Sequence, residues 1–180
     1  MPLNTSPRVR PYETLPSLNV PGIPAVAPMP TGESADTTRV AERFGGDVLA
    51  AGMHNGNQVL YVKPEKLVEV AQFLKSDPQL RYESLIDVTG LDRKELPIGG
   101  GAARFQSVTQ LRSYSRKQHI TLIADCTGGD KPSIPSLTAA FQGAEWPERE
   151  CADLMGISYI GHPDPRRILM PKQWPNHPLQ

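Results

Sequence analysis

Proline is the feature that most constrains this sequence, because prolines crowd both ends and leave the middle for helices and strands. The chain has 180 residues, of which 19 are proline, about twice the usual share. Within residues 1–36 a proline recurs every few positions. Each one fixes φ and removes a backbone donor, which disfavours both helices and sheet pairing. We therefore predict that residues 1–36 are a Pro-rich extension, either disordered or laid along a partner.

Residues 37–180 have the patterning of a single folded domain that mixes helices with hairpins. The pattern predicts, in chain order, a helix in 37–46, a hairpin in 47–64, a helix in 64–78, a strand in 82–93, a loop in 96–103, a hairpin in 104–126, and helices in 137–141 and 147–155. This order indicates the α+β class. We expect two layers, a mixed or antiparallel sheet with helices on one face, followed by an extended Pro-rich C-terminal strap.

Charge and hydropathy disfavour several classes of function. Basic and acidic residues number 19 each, so no bulk basic field exists for nucleic acid or anionic lipid. No apolar run approaches the length of a membrane span, and the N-terminus lacks the apolar region of a secretory signal. We expect contact with a membrane only through other chains. Cys126 and Cys151 lack CxxC spacing, which favours a reduced compartment, although the sequence is also compatible with one disulfide between them.

The stretch "EWPERECADLMGISYIGHPDPRRIL", residues 145–169, combines charged and apolar residues in an unusual way. Pro147 suits the first turn of a helix that Gly156 ends. Helical spacing places four residues on one face: Trp146, Arg149, Glu150 and Asp153. It places three on the side that packs on the sheet: Cys151, Leu154 and Met155. Arg149 and Asp153 are also spaced for an i, i+4 ion pair.

Several kinds of site could use these residues, and each has a plainer interpretation. A catalytic carboxylate pair could come from Glu148, Glu150 and Asp153, although ion pairing with arginine explains them as well. A metal site could combine His162, His177, Cys126 and Cys151, but their spacing matches no known ligand pattern. The histidines, each followed by proline, are better explained as hydrogen-bond donors in rigid turns. The glycines of 99–101 lack a phosphate-loop pattern, and the two arginines at 166–167 lack a wider basic patch.

A protein interface explains the segment better than any of these sites. Tryptophan, tyrosine and arginine are enriched at buried contacts, and Arg–carboxylate pairs add geometric specificity. Alternate prolines at 163 and 165 stiffen the backbone, so little entropy is lost on docking.

The stretch "GAEWPERECADLMGISYIGHPDPRRILMPKQWPNHPL", residues 143–179, resembles the signature of the C subunit, the 30-kilodalton-type subunit, of proton-pumping NADH:quinone oxidoreductase, respiratory complex I. The matching positions are Trp146, Glu148, Arg149, Glu150, Asp153, Gly156, Ile157, Gly161, His162, Pro163, Arg166, Arg167, Ile168 and Leu169. The resemblance covers roughly residues 37–179 and is concentrated after residue 135. Ala152, Met155 and Pro165 depart from the residues common in the family.

The resemblance implies a structural subunit of the hydrophilic arm that has no catalytic centre and binds no cofactor itself. NADH, FMN, iron–sulfur clusters and quinone would lie on other subunits, including neighbouring iron–sulfur subunits. The chain would brace the D subunit of the complex near the quinone-reducing end, on the cytoplasmic side of the plasma membrane or its organellar equivalent. The implied interface residues are Trp146, Glu148, Arg149, Glu150, Asp153, Ile157, His162, Arg166 and Arg167.

Two alternatives to this function remain at the level of sequence. One is a homologous subunit of a membrane-bound energy-converting hydrogenase or of another quinone-reducing complex. The other is a free-standing small enzyme that uses the carboxylates of Glu148, Glu150 and Asp153.

Overall fold

The computed structural model describes residues 32–94 and 103–180, and a mixed five-stranded sheet forms its centre. The helices of these residues are α1 (Ala35–Phe44), α2 (Leu67–Ser76) and α3 (Glu145–Met155). The strands are β1 (Val48–His54), β2 (Asn57–Val62), β3 (Ser84–Asp92), β4 (Phe105–Ser113), β5 (Gln118–Asp125), β6 (Ser133–Pro135) and β7 (Ser158–Ile160). The predicted α+β class is confirmed.

The strand order in the central sheet is β1-β2-β5-β4-β3. Both predicted hairpins form, and the first turns at Asn55 and Gly56, whose φ angles are 48° and 79°. Positive φ at both positions is what a tight hairpin turn requires. The pairing of β2 with β5 is parallel, with Leu60 opposite Leu122. A second, two-stranded sheet pairs β6 with β7, also in parallel.

The main hydrophobic core lies between the helices and one face of the central sheet. All three α-helices contribute to it, through residues such as Val40, Leu74 and Met155. The strands contribute alternate side chains, such as Leu60 and Leu122, because successive residues of a strand point to opposite faces. A smaller cluster of buried residues consists of Val59, Tyr61 and Ile123. Their side chains alternate along the strands with those of the main core and therefore lie on the opposite face of the sheet.

Gly90 sets how closely α3 approaches strand β3. A Cβ atom at this position would lie 2.5 Å from Met155 Sδ, 2.8 Å from Ile157 Cδ1 and 3.0 Å from Cys151 Sγ. The absence of a side chain therefore lets α3 pack directly on the edge strand of the sheet.

The boundaries differ from the predicted ones in small ways that have physical causes. Helix α1 begins at Ala35, two residues before the predicted domain, because Arg116 binds the carboxylate of buried Asp36 with two hydrogen bonds of 2.7 Å. A 3-10 turn over Pro64–Lys66 precedes α2. Residues 1–31 of the Pro-rich extension and nearly all of the predicted loop at 96–103 lie outside the described residues.

The last twenty residues, 161–180, contain no helix or strand. They turn back along α3 through hydrogen bonds described below, and a strap across a partner stays a prediction. Among the described residues, no helix combines the length and the apolar content needed to cross a membrane.

Candidate protein interface

Glu148 joins the start of α3 to the turn that precedes it. Its side chain is fully buried, Leu137 N–H donates to Oε1 at 2.6 Å, and Ser136 Oγ–H donates to Oε2 at 2.6 Å. The carboxyl group thus caps a 3-10 turn over Leu137–Ala139. Burial raises the pKa of Glu148, which these hydrogen bonds only partly offset. Glu148 therefore stabilises the local fold.

Arg149 connects α3 to the proline-stiffened segment that follows it. Its Nε donates to the carbonyl of Arg166 at 3.0 Å, and Nη1 lies 3.3 Å from Asp164 Oδ2. The predicted i, i+4 ion pair with Asp153 is wrong, because Asp153 binds Arg167 instead. An ion pair within one helix contributes only a few tenths of a kcal/mol to stability. The several bonds of Arg149 to residues 164–167 together contribute more.

Asp153 is the most heavily bonded carboxylate of the segment. The backbone N–H groups of Ile168, Leu169 and Met170 donate to Oδ2 at 2.8–3.0 Å, and Arg167 Nη1 donates to Oδ1 at 2.9 Å. Burial by itself raises the pKa of Asp153. The three N–H donors and the Arg167 charge more than offset it, so the net pKa is lowered. These hydrogen bonds and the ion pair fix residues 167–170 against α3.

The C-terminal end of α3 is capped by residues far along the chain. Gly156, in the left-handed region at φ 70°, donates its N–H to the carbonyl of Ala152. His177 Nδ1 donates to the carbonyl of Asp153 at 2.9 Å. The last two carbonyls, of Leu154 and Met155, accept from Leu179 N–H and Gln180 Nε2. All four carbonyls that a helix end leaves unpaired therefore have donors.

His162 also has a structural role. Its Nε2 lies 2.9 Å from the carbonyl of Glu145, and Asp164 N–H donates to Nδ1 at 3.0 Å. These partners require a neutral ring with the proton on Nε2. The hydrogen-bonding role expected for His162 and His177 is confirmed. Arg166 binds Asp164 with two bonds of 2.6 Å and lowers the pKa of Asp164.

The residues of the predicted interface fall into three groups by exposure. Trp146, Glu150 and Arg166 are exposed, and 67% of the Trp146 surface is accessible. Arg149 and Arg167 are partly exposed. The side chains inside the fold are those of Glu148, Asp153, Ile157 and His162. These four hold the backbone that presents the other five, and the role of the set at an interface stays a prediction.

Sequence reasoning missed several exposed apolar residues in the same segment. They are Ile160, Leu169, Trp174 and Leu179, which are 48–61% exposed. Together with Trp146 they are five of the eight large hydrophobic residues that are exposed in the described part of the chain. We call these five residues the exposed apolar set. Large apolar side chains beside prolines, with neither helical nor strand periodicity, were the available signal.

The other candidate sites do not form in the described ranges. The carboxylates of Glu148 and Asp153 are bound by different segments, 136–137 and 167–170, and Glu150 is exposed. No three His, Cys, Asp or Glu side chains in these ranges are grouped as ligands for a metal ion. Cys126 and Cys151 are buried free thiols, and burial raises their pKa values to about 12 and about 11.

Comparison with known proteins agrees with the signature. The family model described as the 30 Kd subunit of respiratory-chain NADH dehydrogenase matches residues 60–180. The C subunit of NADH-quinone oxidoreductase from Roseiflexus sp. (strain RS-1) is 40% identical over 135 residues, 74% of this chain and 73% of that protein. The C 2 subunit of the same enzyme from Rhizobium etli (strain CIAT 652) is 37% identical over 138 residues, 76% of this chain and 70% of that protein.

The fold itself recurs in a solved complex. A chain of the membrane-bound sulfane sulfur reductase, an archaeal respiratory membrane complex, superposes with a TM-score of 0.56 at 16% identity. The similarity covers 69% of this chain and 68% of the other, and it concerns the fold alone. From the family model and the relatives, we conclude that this chain belongs to the family of the 30-kDa subunit of respiratory-chain NADH dehydrogenase, which includes the C subunits of NADH-quinone oxidoreductases.

Proposed function

We propose that the chain is a structural subunit of the peripheral arm of an NADH:quinone oxidoreductase. It braces the neighbouring D subunit near the quinone-reducing end, and so supports electron transfer from NADH to quinone coupled to proton translocation. Family membership supports the kind of complex. The geometry around α3 supports the bracing role.

The observation that carries the proposal is that residues 146–179 combine a backbone fixed by hydrogen bonds with several exposed large apolar side chains. Asp153, Arg167 and residues 177–180 fix the backbone within the chain. The side chains of the exposed apolar set nevertheless remain accessible, and large apolar side chains left in solvent are a feature of sites that another protein covers. Because the backbone is already fixed, docking costs little further ordering.

The redox groups belong to other subunits in this proposal. NADH, FMN, iron–sulfur clusters and quinone are bound elsewhere in the complex, including on neighbouring iron–sulfur subunits. The intramolecular bonds of Glu148, Asp153 and His162 support a structural use of these side chains. The chain is then peripheral, at the cytoplasmic side of the plasma membrane or its organellar equivalent, and is held there by its partners.

A native gel of membranes extracted in mild detergent tests this function. The chain is expected to comigrate with NADH-oxidising, iron–sulfur-containing material. Trp146→Ala removes one large member of the exposed apolar set and is expected to reduce that comigration about tenfold or more, as loss of an anchoring tryptophan does at interfaces. Tyr114→Ala is the matched control, because Tyr114 is 56% exposed in the turn between β4 and β5.

The gel also separates the alternatives. Comigration with hydrogenase or another quinone-reducing activity, without NADH oxidation, would assign the chain to a related complex. Migration as a free small protein would overturn the subunit proposal and favour an enzyme of its own.

A further inference from the structure

One carboxylate of α3 is left without a counter-ion beside an exposed tryptophan. Glu150 is exposed, and in the part of the chain that the structure describes no group is bonded to its carboxylate. We propose that Trp146 and Glu150 together bind one arginine side chain of the partner subunit. The guanidinium stacks on the indole and donates hydrogen bonds to the carboxylate. This inference rests on the proposed function and adds the chemistry by which the partner is recognised.

Helix α3 places the two side chains within reach of a single partner group. Trp146 and Glu150 are four residues apart in the helix, so their Cβ atoms lie about 6 Å apart on one face. The buried side of α3 is formed by other residues, such as Cys151 and Met155. Trp146 is 67% exposed, more than any other large apolar residue of the described ranges. The pair therefore faces solvent one turn apart.

The other charges of the predicted interface already have partners within the chain. Arg149 and Arg166 both pair with the carboxylate of Asp164, at 3.3 and 2.6 Å. Arg167 pairs with the buried aspartate of α3 at 2.9 Å. Among the described residues, Glu150 is therefore the one charged member of the predicted interface whose side chain makes no bond inside the chain.

A second carboxylate adds negative charge in the same region. Burial raises the pKa of Cys151, and the charges of Asp87 and Glu150 raise it further, so both carboxylates lie near this thiol. Asp87 is exposed on the edge strand β3, where its Oδ1 accepts the N–H of Val88 at 2.8 Å. Two such anions favour a cation from the partner and disfavour an acidic side chain.

Covering the tryptophan makes a cation necessary. A partner that buries the indole of Trp146 also removes water from the carboxylate of Glu150, one helical turn away. A charge that is buried without a counter-ion is strongly unfavourable, so the partner has to supply one. Lysine offers a compact ammonium group. Arginine offers a flat guanidinium that stacks on an aromatic face and donates two parallel N–H bonds to a carboxylate, which satisfies both residues at once.

Removing the charge of Glu150 tests the pairing in the full chain, with comigration on the native gel as the measurement. Glu150→Gln keeps the size of the side chain, and Glu42→Gln, at an exposed position of α1, is the matched control. We expect Glu150→Gln to reduce comigration with the complex about tenfold or more and Glu150→Lys to reduce it further. The melting temperatures of the variants and the comigration of the control should equal those of wild type.

A double-mutant cycle tests whether one group contacts both residues. Trp146→Ala and Glu150→Gln each weaken the contact with the same arginine. The double variant is therefore expected to lose less comigration than the product of the two single losses, by a factor of about ten.

The outcomes separate this inference from the proposed function. Comigration of Glu150→Gln equal to wild type, or single losses that multiply in the double variant, would overturn the shared arginine and leave the subunit proposal intact. Failure of the wild-type chain to join any complex would instead reject the proposed function.

Discussion

Among single residues, two carboxyl groups five positions apart in α3 have opposite electrostatic environments. Glu148 is buried with two neutral donors, and burial raises its pKa. Asp153 is buried too, but three N–H groups and the Arg167 guanidinium lower its pKa. The two groups therefore contribute to stability with opposite dependence on pH.

Asp153→Asn is expected to lower the free energy of unfolding by about 2 kcal/mol at pH 7, since it weakens hydrogen bonds to a charged acceptor. A lowered pKa means that the ionised form stabilises the fold above the ordinary value of 3.8. This contribution is lost as the pH falls through the folded-state pKa. In urea unfolding, the difference in the free energy of unfolding between wild type and variant should become smaller below about pH 4. A difference in the free energy of unfolding that does not change with pH would contradict the ion pair between Asp153 and Arg167.

Glu148→Gln is expected to show the reverse dependence. The folded protein holds the Glu148 proton above the ordinary value of 4.5, so wild-type stability falls as the pH rises through and beyond that value. The variant keeps both acceptor and donor capacity and lacks this titration. Measured by urea unfolding, the stability of the variant relative to wild type should therefore be higher at pH 7 than at pH 4. If the difference between the two proteins moves the other way, the burial argument for Glu148 is wrong.

Residue spacing predicted the polar side of α3 but not the partners of its charges. The partners of Glu148 lie in 136–137 and those of Asp153 in 167–170. Helical periodicity carries no information on contacts between such segments, so Asp153 was expected on an open face. The structural role of the His-Pro pairs was predictable, because proline on one side leaves the imidazole as the main donor of the turn.

Among secondary-structure elements, the contact between α3 and β3 depends on Gly90. Gly90→Ala is expected to lower the free energy of unfolding by about 1–3 kcal/mol, the usual cost of an overpacked core. Met155 is flexible and can absorb part of the overlap. Gly46→Ala is the control, since nothing lies within 4 Å of a Cβ there. Thermal or urea unfolding that gives both variants the same stability would contradict close packing at Gly90.

Local patterns predicted the hairpins and helices because their signals lie within a few residues. Asn55-Gly56 marks one turn, and the apolar stripe of α2 marks its buried side. The parallel pairings of β2 with β5 and of β6 with β7 join residues far apart in sequence. No turn signal announces such a pairing, so the class of the fold was predictable and the strand order was not.

For the molecule as a whole, the two thiols report on global opening. Cys126 and Cys151 are each 5% exposed, and burial raises their pKa values to about 12 and about 11. A thiol reacts as its thiolate, so both are expected to resist a disulfide reagent at pH 8 until the protein unfolds in urea. Lys172→Cys, at an exposed position, should react at once. Rapid labelling of the native thiols would indicate that the core between α3 and the sheet opens locally.

The capping of α3 has a consequence for the order of biosynthesis. Helix α3 ends at Met155, whereas the groups that bind its last three carbonyls belong to His177, Leu179 and Gln180. A ribosome delivers these residues more than twenty positions after the helix itself. The helix that carries Trp146 is therefore completed late, when most of the domain has already emerged. A partner that recognises the finished surface would meet this subunit after translation of residues 177–180, and premature recruitment of the nascent chain would be disfavoured.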